Sequence, residues 1–134
     1  MSAEDLAAAQ LASQAWVGAR APDGTLVATA RAISDRVKHA WIYDVIVAPA
    51  FRGRGIGHAV VKLALDHPAV RGAGRVHLAT RDAHGLYRKL GFLEEAELPP
   101  RGYPSSTMHL LRTLHASPAP QPSLARATPA LTAT

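Results

Sequence analysis

Apolar and polar positions change period several times along the chain, and each change marks an element. Ala3–Ser13 is rich in Ala and Leu behind Ser2, with Glu4 and Asp5 at its start, which predicts a short helix capped by Ser2. Trp16–Arg20 and Thr25–Ile33 are two runs of β-formers around Ala21-Pro22-Asp23-Gly24, a hairpin pattern. After a polar link at Ser34–Lys38, Ala40–Val47 is almost continuously apolar, as a strand covered on both faces would be. Its one charge is Asp44. Gly55–Asp66 returns to a helical period, with Ile56, Ala59, Val60, Leu63 and Ala64 as the expected buried stripe. His67-Pro68 ends it, because proline disfavours helix at the residue before it.

A loop with Gly72 and Gly74 leads to a strand over Arg75–Thr80. A second helix follows over Ala83–Leu90, with Thr80 or Asp82 as its cap and Gly91 as its stop. Strands are also expected at Phe92–Glu95 and Thr107–Arg112, joined by the Pro/Gly-rich loop Leu98–Pro104. The order α-β-β-β-α-β-α-β-β predicts an α/β sandwich around a mixed sheet.

Composition narrows this picture. The 134 residues suit one domain, expected over 1–115; residues 116–134, rich in Pro, Ala, Ser and Thr, read as a disordered tail. With 48% hydrophobic residues but only 5% aromatic, the core must be mainly aliphatic. The absence of Cys excludes a disulfide scaffold, thiolate metal ligands and a cysteine nucleophile. The formal charge is +5, and Arg126 is the one charged residue of the tail, so the basic excess lies in the expected domain and favours an anionic ligand. No apolar run approaches the ~20 residues of a membrane span. Glu4 and Asp5 stand where a signal peptide would be basic, so the expectation is a cytoplasmic protein. Seven His show no ligand spacing with a carboxylate, and no metal site is expected.

The informative segment is Val45-Ile46-Val47-Ala48-Pro49-Ala50-Phe51-Arg52-Gly53-Arg54-Gly55-Ile56-Gly57. A buried strand ends, two arginines and three glycines follow, and a helix begins. Such a junction aims backbone N–H groups and a helix N-terminus at one place, the requirement for an anion site. Neither a dinucleotide-binding nor a Walker A spacing is met, since His58 fills the last position of the first and no Gly-Lys-Ser/Thr follows for the second. The plain alternative is a glycine-rich connection with two solvated arginines.

Val-x-x-Pro-x-x-Arg-Gly-x-Gly-Ile-Gly resembles the acetyl-CoA signature of the GNAT superfamily of N-acetyltransferases, whose Gln/Arg-x-x-Gly-x-Gly/Ala form is met by Arg52, Gly55 and Gly57. Thr80-Arg81-Asp82-Ala83-His84-Gly85-Leu86-Tyr87-Arg88-Lys89-Leu90-Gly91-Phe92 resembles that family's second block. The resemblance runs from about Trp16 to Arg112. It implies a mostly antiparallel mixed sheet with splayed central strands, flanked by helices. It further implies acetyl-CoA as co-substrate, its pyrophosphate held by backbone N–H groups of Arg52, Gly53, Arg54, Gly55, Ile56 and Gly57. The pantetheine arm would lie between Ala40–Val47 and Arg75–Thr80, bonded to backbone near Val45 and Val47. Thr80 stands where the family often has Asn.

Tyr87 matches the family's usual general acid; the alternative is a core tyrosine on a short helix. Asp44 is open between two readings. A lone carboxylate in an apolar strand must be paired or functional, so it either faces the acceptor amine or forms an ion pair with Arg31 or Arg75. Arg81, Arg88 and Lys89 enlarge the positive field or are solvated.

The implied activity is acetyl transfer from acetyl-CoA to a primary amine by direct attack. The competing reading is a non-catalytic acyl-CoA-binding module. Nucleic-acid binding is disfavoured, because the basic residues gather at one loop and stacking aromatics are few. Family members carry further elements before the segment matching Trp16–Arg20, where about fifteen residues stand here. The expected acceptor side is therefore open, completed by a homodimer partner, or absent.

Overall fold

The structure is a computed structural model that describes residues 1–112; the expected tail at 116–134 lies outside the described residues. The chain divides into two units, Met1–Leu98 and Pro99–Thr134. The first contains all the regular elements: α1 (Ala3–Ala12), β1 (Ala15–Arg20), β2 (Leu26–Ser34), β3 (His39–Val47), a 3-10 turn at Pro49–Phe51, α2 (Ile56–Asp66), β4 (Arg75–His77), α3 (His84–Lys89) and a second 3-10 turn at Glu95–Glu97. The four strands form one sheet in the order β1-β2-β3-β4, antiparallel except for the β3–β4 pair. This is the mixed α/β architecture that the pattern predicts, mostly antiparallel as the family resemblance implies.

Local chemistry accounts for the elements. Ser2 and Asp5 form a reciprocal capping box at the start of α1. The turn joining β1 to β2 is closed by Gly24 N–H to Ala21 O at 2.8 Å, with Gly24 at φ +90°. The core is aliphatic and unusually small in its parts: Ala15, Ala28, Ala30, Ala32 and Ala40 on the strands meet Val60, Val61 and Ala64 of α2. Alanines on the sheet let the helix axis come close, and each fully buried valine contributes about 2 kcal/mol.

The helix presents a face one step round from the expected stripe. Ala59 and Leu63 are exposed, and Val61 is buried instead. Gly57 explains the rotation. A Cβ there would lie 3.3 Å from Leu86 Cδ1 and 3.5 Å from Val47 Cγ2, so the bare side of Gly57 is the one turned to the sheet and α3.

A bulge in β3 sets the position of the site. Arg31 pairs with Tyr43 and Thr29 with Ile46, so two residues of β3, Asp44 and Val45, stand opposite Ala30 alone. Asp44 adopts φ +52°, a left-handed conformation that Asp tolerates better than most residues. The extra residue reverses the parity of the strand. Before it Ala40 and Ile42 face the core; after it Val45 and Val47 do.

β3 and β4 then part. Their pairing covers His39–Trp41 against Arg75–His77, and β3 continues for six residues without β4 beside it. Ring contacts secure the paired end: Trp41 stacks on His77 at 4.8 Å, and His39 Nδ1 lies 2.9 Å from His77 Nε2.

Three sequence expectations change. β4 stops at His77 rather than Thr80. The strand expected at Phe92–Glu95 is absent: Gly91 turns the chain at φ +91°, Phe92 packs edge-on against Tyr87 at 5.8 Å, and Glu94 and Glu97 cap the 3-10 turn. The apolar residue is thus consumed by packing on α3, and Glu94 and Glu97 by local backbone bonds. Thr107–Arg112 is irregular too, with Met108, Leu110 and Leu111 exposed, because an alternating run becomes a strand only where a neighbouring edge pairs with it.

Candidate active site

The loop between β3 and α2 supplies main-chain donors. Gly53 and Gly55 adopt φ +76° and +78°, which any Cβ would strain. Gly55 is the N-cap of α2 and brings no capping side chain. The first helical bond runs from Ala59 N–H to Gly55 O at 3.1 Å, so the N–H groups of Ile56, Gly57 and His58 precede the intrahelical ladder and are open to a ligand. Arg52 is anchored by donating from Nε to Val47 O at 3.1 Å.

That loop borders a cleft of about 650 Å³ where β3 and β4 have separated. Val45, Ile46 and Val47 form one wall, Arg52, Gly53, Gly55, Ile56, Gly57 and His58 the mouth, and Arg81, Asp82, Ala83, Leu86 and Tyr87 the opposite wall. Eight residues singled out from sequence therefore converge: Val45, Val47, Arg52, Gly53, Gly55, Ile56, Gly57 and Tyr87.

The other three lie elsewhere. Arg54 is stacked on the Phe51 ring, its guanidinium carbon 5.3 Å from the centroid, and does not line the cleft. Thr80 gives its hydroxyl to the start of α3, accepting from Ala83 N–H at 3.0 Å, and borders a second cavity. Asp44 borders neither and is ion-paired with Arg31, Nε to Oδ2 at 2.6 Å. Arg31 also donates to Ser13 Oγ at 3.3 Å and lies 4.9 Å from the Tyr43 ring centroid. His58 escaped the sequence reading; its signal was its place as the third residue of α2, where the backbone donates regardless of side chain.

Tyr87 occupies the key position. It is 8% exposed as a residue, and its hydroxyl makes no hydrogen bond among the described residues but has access to solvent. Burial raises its pKa above the ordinary 10.0, so the phenol keeps its proton through neutral pH.

Comparison with known proteins decides the family. The profile described as "Acetyltransferase (GNAT) family" matches residues 2–92, more than half of the chain. The chain belongs to the GNAT acetyltransferase family. A GNAT-family protein from Xanthomonas campestris pv. campestris is 38% identical with a TM-score of 0.61, over 75% of this chain and 72% of that one. A GNAT-family acetyltransferase from Streptococcus pneumoniae is 27% identical with a TM-score of 0.63, over 81% and 82%.

Among curated relatives, GCN5-related N-acetyltransferase 1 of Arabidopsis thaliana is 38% identical over 72 residues, 53% of this chain and 36% of that protein. Glucosamine 6-phosphate N-acetyltransferase 1 of Oryza sativa is 41% identical over 61 residues, 45% and 36% respectively. The chain thus spans about a third of the curated relatives' length. Among the described residues no helix is long and apolar enough to cross a membrane, and no group of three or more His, Asp or Glu could hold a metal ion.

Proposed function

We propose that this chain is an acetyl-CoA-dependent N-acetyltransferase acting on a primary amine. The observation that carries the reading is Tyr87, a largely buried side chain with a hydroxyl not engaged by the protein, lining a cleft whose mouth is a glycine loop and a helix N-terminus. The residues fit the co-substrate. Gly53 and Gly55 have open space where a side chain would stand, and Gly55 leaves the end of α2 uncapped for phosphate oxygens. Arg52 and Arg81 supply positive charge, against Asp82 alone on the negative side. When bound, acetyl-CoA supplies the acetyl group as a thioester.

The chain's own residues then divide the work. Ile56, Gly57 and His58 hold the pyrophosphate through main-chain N–H groups. The stretch of β3 beyond its pairing with β4, Val45 to Val47, offers backbone to the pantetheine arm, and one N–H there stabilises the carbonyl oxygen as charge develops on it. Tyr87 gives its hydroxyl proton to the sulfur as the C–S bond breaks and the amine nitrogen completes the new C–N bond; the surplus amine proton passes to water, and water returns a proton to the Tyr87 phenolate. No covalent enzyme intermediate is needed.

Asp44 is assigned to the ion pair with Arg31, which its 2.6 Å contact favours over acceptance of the amine proton. The fold keeps the pair where α1, β2 and the β3 bulge meet. Asp44→Asn separates the roles: an ion-pair residue loses stability with normal specific activity, whereas a proton acceptor loses turnover in a protein of unchanged Tm.

The test of the activity is thioester consumption with an amine panel by wild type and Tyr87→Phe. Turnover that the variant loses while retaining acetyl-CoA affinity supports the reading. Binding without turnover on any amine would leave an acyl-CoA-binding module instead.

A further inference from the structure

Tyr87 is the one residue that borders both the cleft and a second cavity of about 290 Å³ behind it. Phe92 and Leu93 give this cavity an apolar wall, and Glu94 and Glu95 stand at its rim. The two carboxylates differ. Glu94 is ion-paired with Arg88, whose Nη2 lies 2.8 Å from it and 3.0 Å from Glu97, and His84 Nε2 is 3.7 Å away on its other oxygen. The side chain of Glu95 makes no hydrogen bond or ion pair among the described residues. The cavity therefore retains negative charge in a chain of formal charge +5, and the cleft across Tyr87 retains positive charge.

We infer that the second cavity is the acceptor subsite and takes a primary ammonium on a short alkyl chain, with Glu95 as its counter-charge and the Phe92–Leu93 wall against its methylenes. The inference rests on the acetyltransferase reading above. Two features point to a ligand here: the free carboxylate at the rim of a cavity with an apolar wall, and the position of the Tyr87 side chain where this cavity meets the cleft. Asp44 cannot serve in Glu95's place while Arg31 holds its carboxylate. The geometry separates charges: the anionic co-substrate enters on one side of Tyr87 and the cationic amine on the other. A free diamine and a lysine side chain present the same chemistry to this cavity.

The full chain and its Glu95→Gln and Glu95→Lys variants are assayed with 1,5-diaminopentane and with a lysine amide blocked at its α-nitrogen. Calorimetry of 1,5-diaminopentane and of acetyl-CoA runs alongside. Glu95 is exposed, so both variants should keep the wild-type Tm. The expected result is an amine KM raised about tenfold in Glu95→Gln and further in Glu95→Lys, with kcat and acetyl-CoA affinity unchanged and diamine binding weakened in parallel. A raised KM for either amine in the variants upholds the inference, and preference between the amines assigns a free or a polypeptide-borne acceptor. An unchanged amine KM in both variants, or acetyl-CoA binding without binding of either amine, overturns the subsite and leaves the co-substrate site standing. Failure of the wild type to bind acetyl-CoA overturns both.

Discussion

The two hollows that meet at Tyr87 are built by different means. The larger is lined at its mouth by main chain: glycines in left-handed conformations, an uncapped helix end, and a strand that has parted from its neighbour. The smaller is defined by side chains, an apolar wall and two carboxylates of which one is ion-paired. A backbone site is fixed by conformation and binds the same group whatever the flanking side chains are. A side-chain site can be retuned by a single substitution. A co-substrate of constant structure suits the first kind, and an acceptor that differs from protein to protein suits the second.

The largest expected effect breaks the comparison at its shared residue. Tyr87→Phe removes the proton donor and keeps the ring that packs against Phe92, so kcat should fall about a hundredfold with acetyl-CoA affinity and Tm unchanged. Unchanged turnover would reduce Tyr87 to a packing residue. Next comes Gly57→Val, which sharpens the claim that the cleft mouth is made of backbone. The added atoms meet Leu86 and Val47, and overpacking of this kind costs about 1–3 kcal/mol, seen as a lower Tm together with weakened acetyl-CoA binding. An unshifted Tm would mean that α2 can move aside.

Asp44→Asn should cost about 1–3 kcal/mol by leaving the Arg31 guanidinium short of a charged partner, and Asn tolerates the left-handed backbone, so the loss is electrostatic. Thermal unfolding of the variant checks it.

Two pH effects are smaller. The Tyr87 pKa is raised by burial, so the unfolded chain releases that proton first; stability should fall as pH climbs above 10.0, and any alkaline loss of kcat due to this phenol should begin above that value. The Glu97 pKa is lowered, first by its hydrogen bond with Arg88 and next by the Glu94 N–H. A carboxyl lowered in the fold stabilises it above the ordinary 4.5 and loses that contribution as pH falls. Tm measured across the acid range should therefore decline less steeply in Glu97→Gln than in wild type.

Backbone requirements were the part most legible in the sequence. Gly53, Gly55 and Gly57 mark a close backbone approach because a Cβ would obstruct it, and the loop does join β3 to α2 as expected, with Gly53 and Gly55 left-handed. Tyr87 was legible through the resemblance of Thr80–Phe92 to the family's second block; its spacing from Ala83 and Leu90 alone read as a core stripe. The bulge was not, since an almost uniformly apolar strand hides a change of parity; Asp44 was legible only as a charge needing a partner, left open among Arg31, Arg75 and the acceptor amine. The region after Leu90 was misread because alternation alone cannot say whether an apolar residue pairs in a sheet or folds back. Phe92 folds back onto Tyr87, and the glutamates cap a turn. Glu95 had no motif to mark it, since its meaning depends on Arg88 choosing Glu94 and Glu97 instead.

The most direct measurement of the central claim is calorimetric titration of the full chain with acetyl-CoA beside Gly55→Val. Nothing lies within 4 Å of a Cβ at Gly55, so the variant strains the loop at φ +78° without crowding the core. The account requires saturable binding by the wild type that the folded variant loses. A folded wild type that takes up no acetyl-CoA, or a variant that binds it equally well, would contradict it.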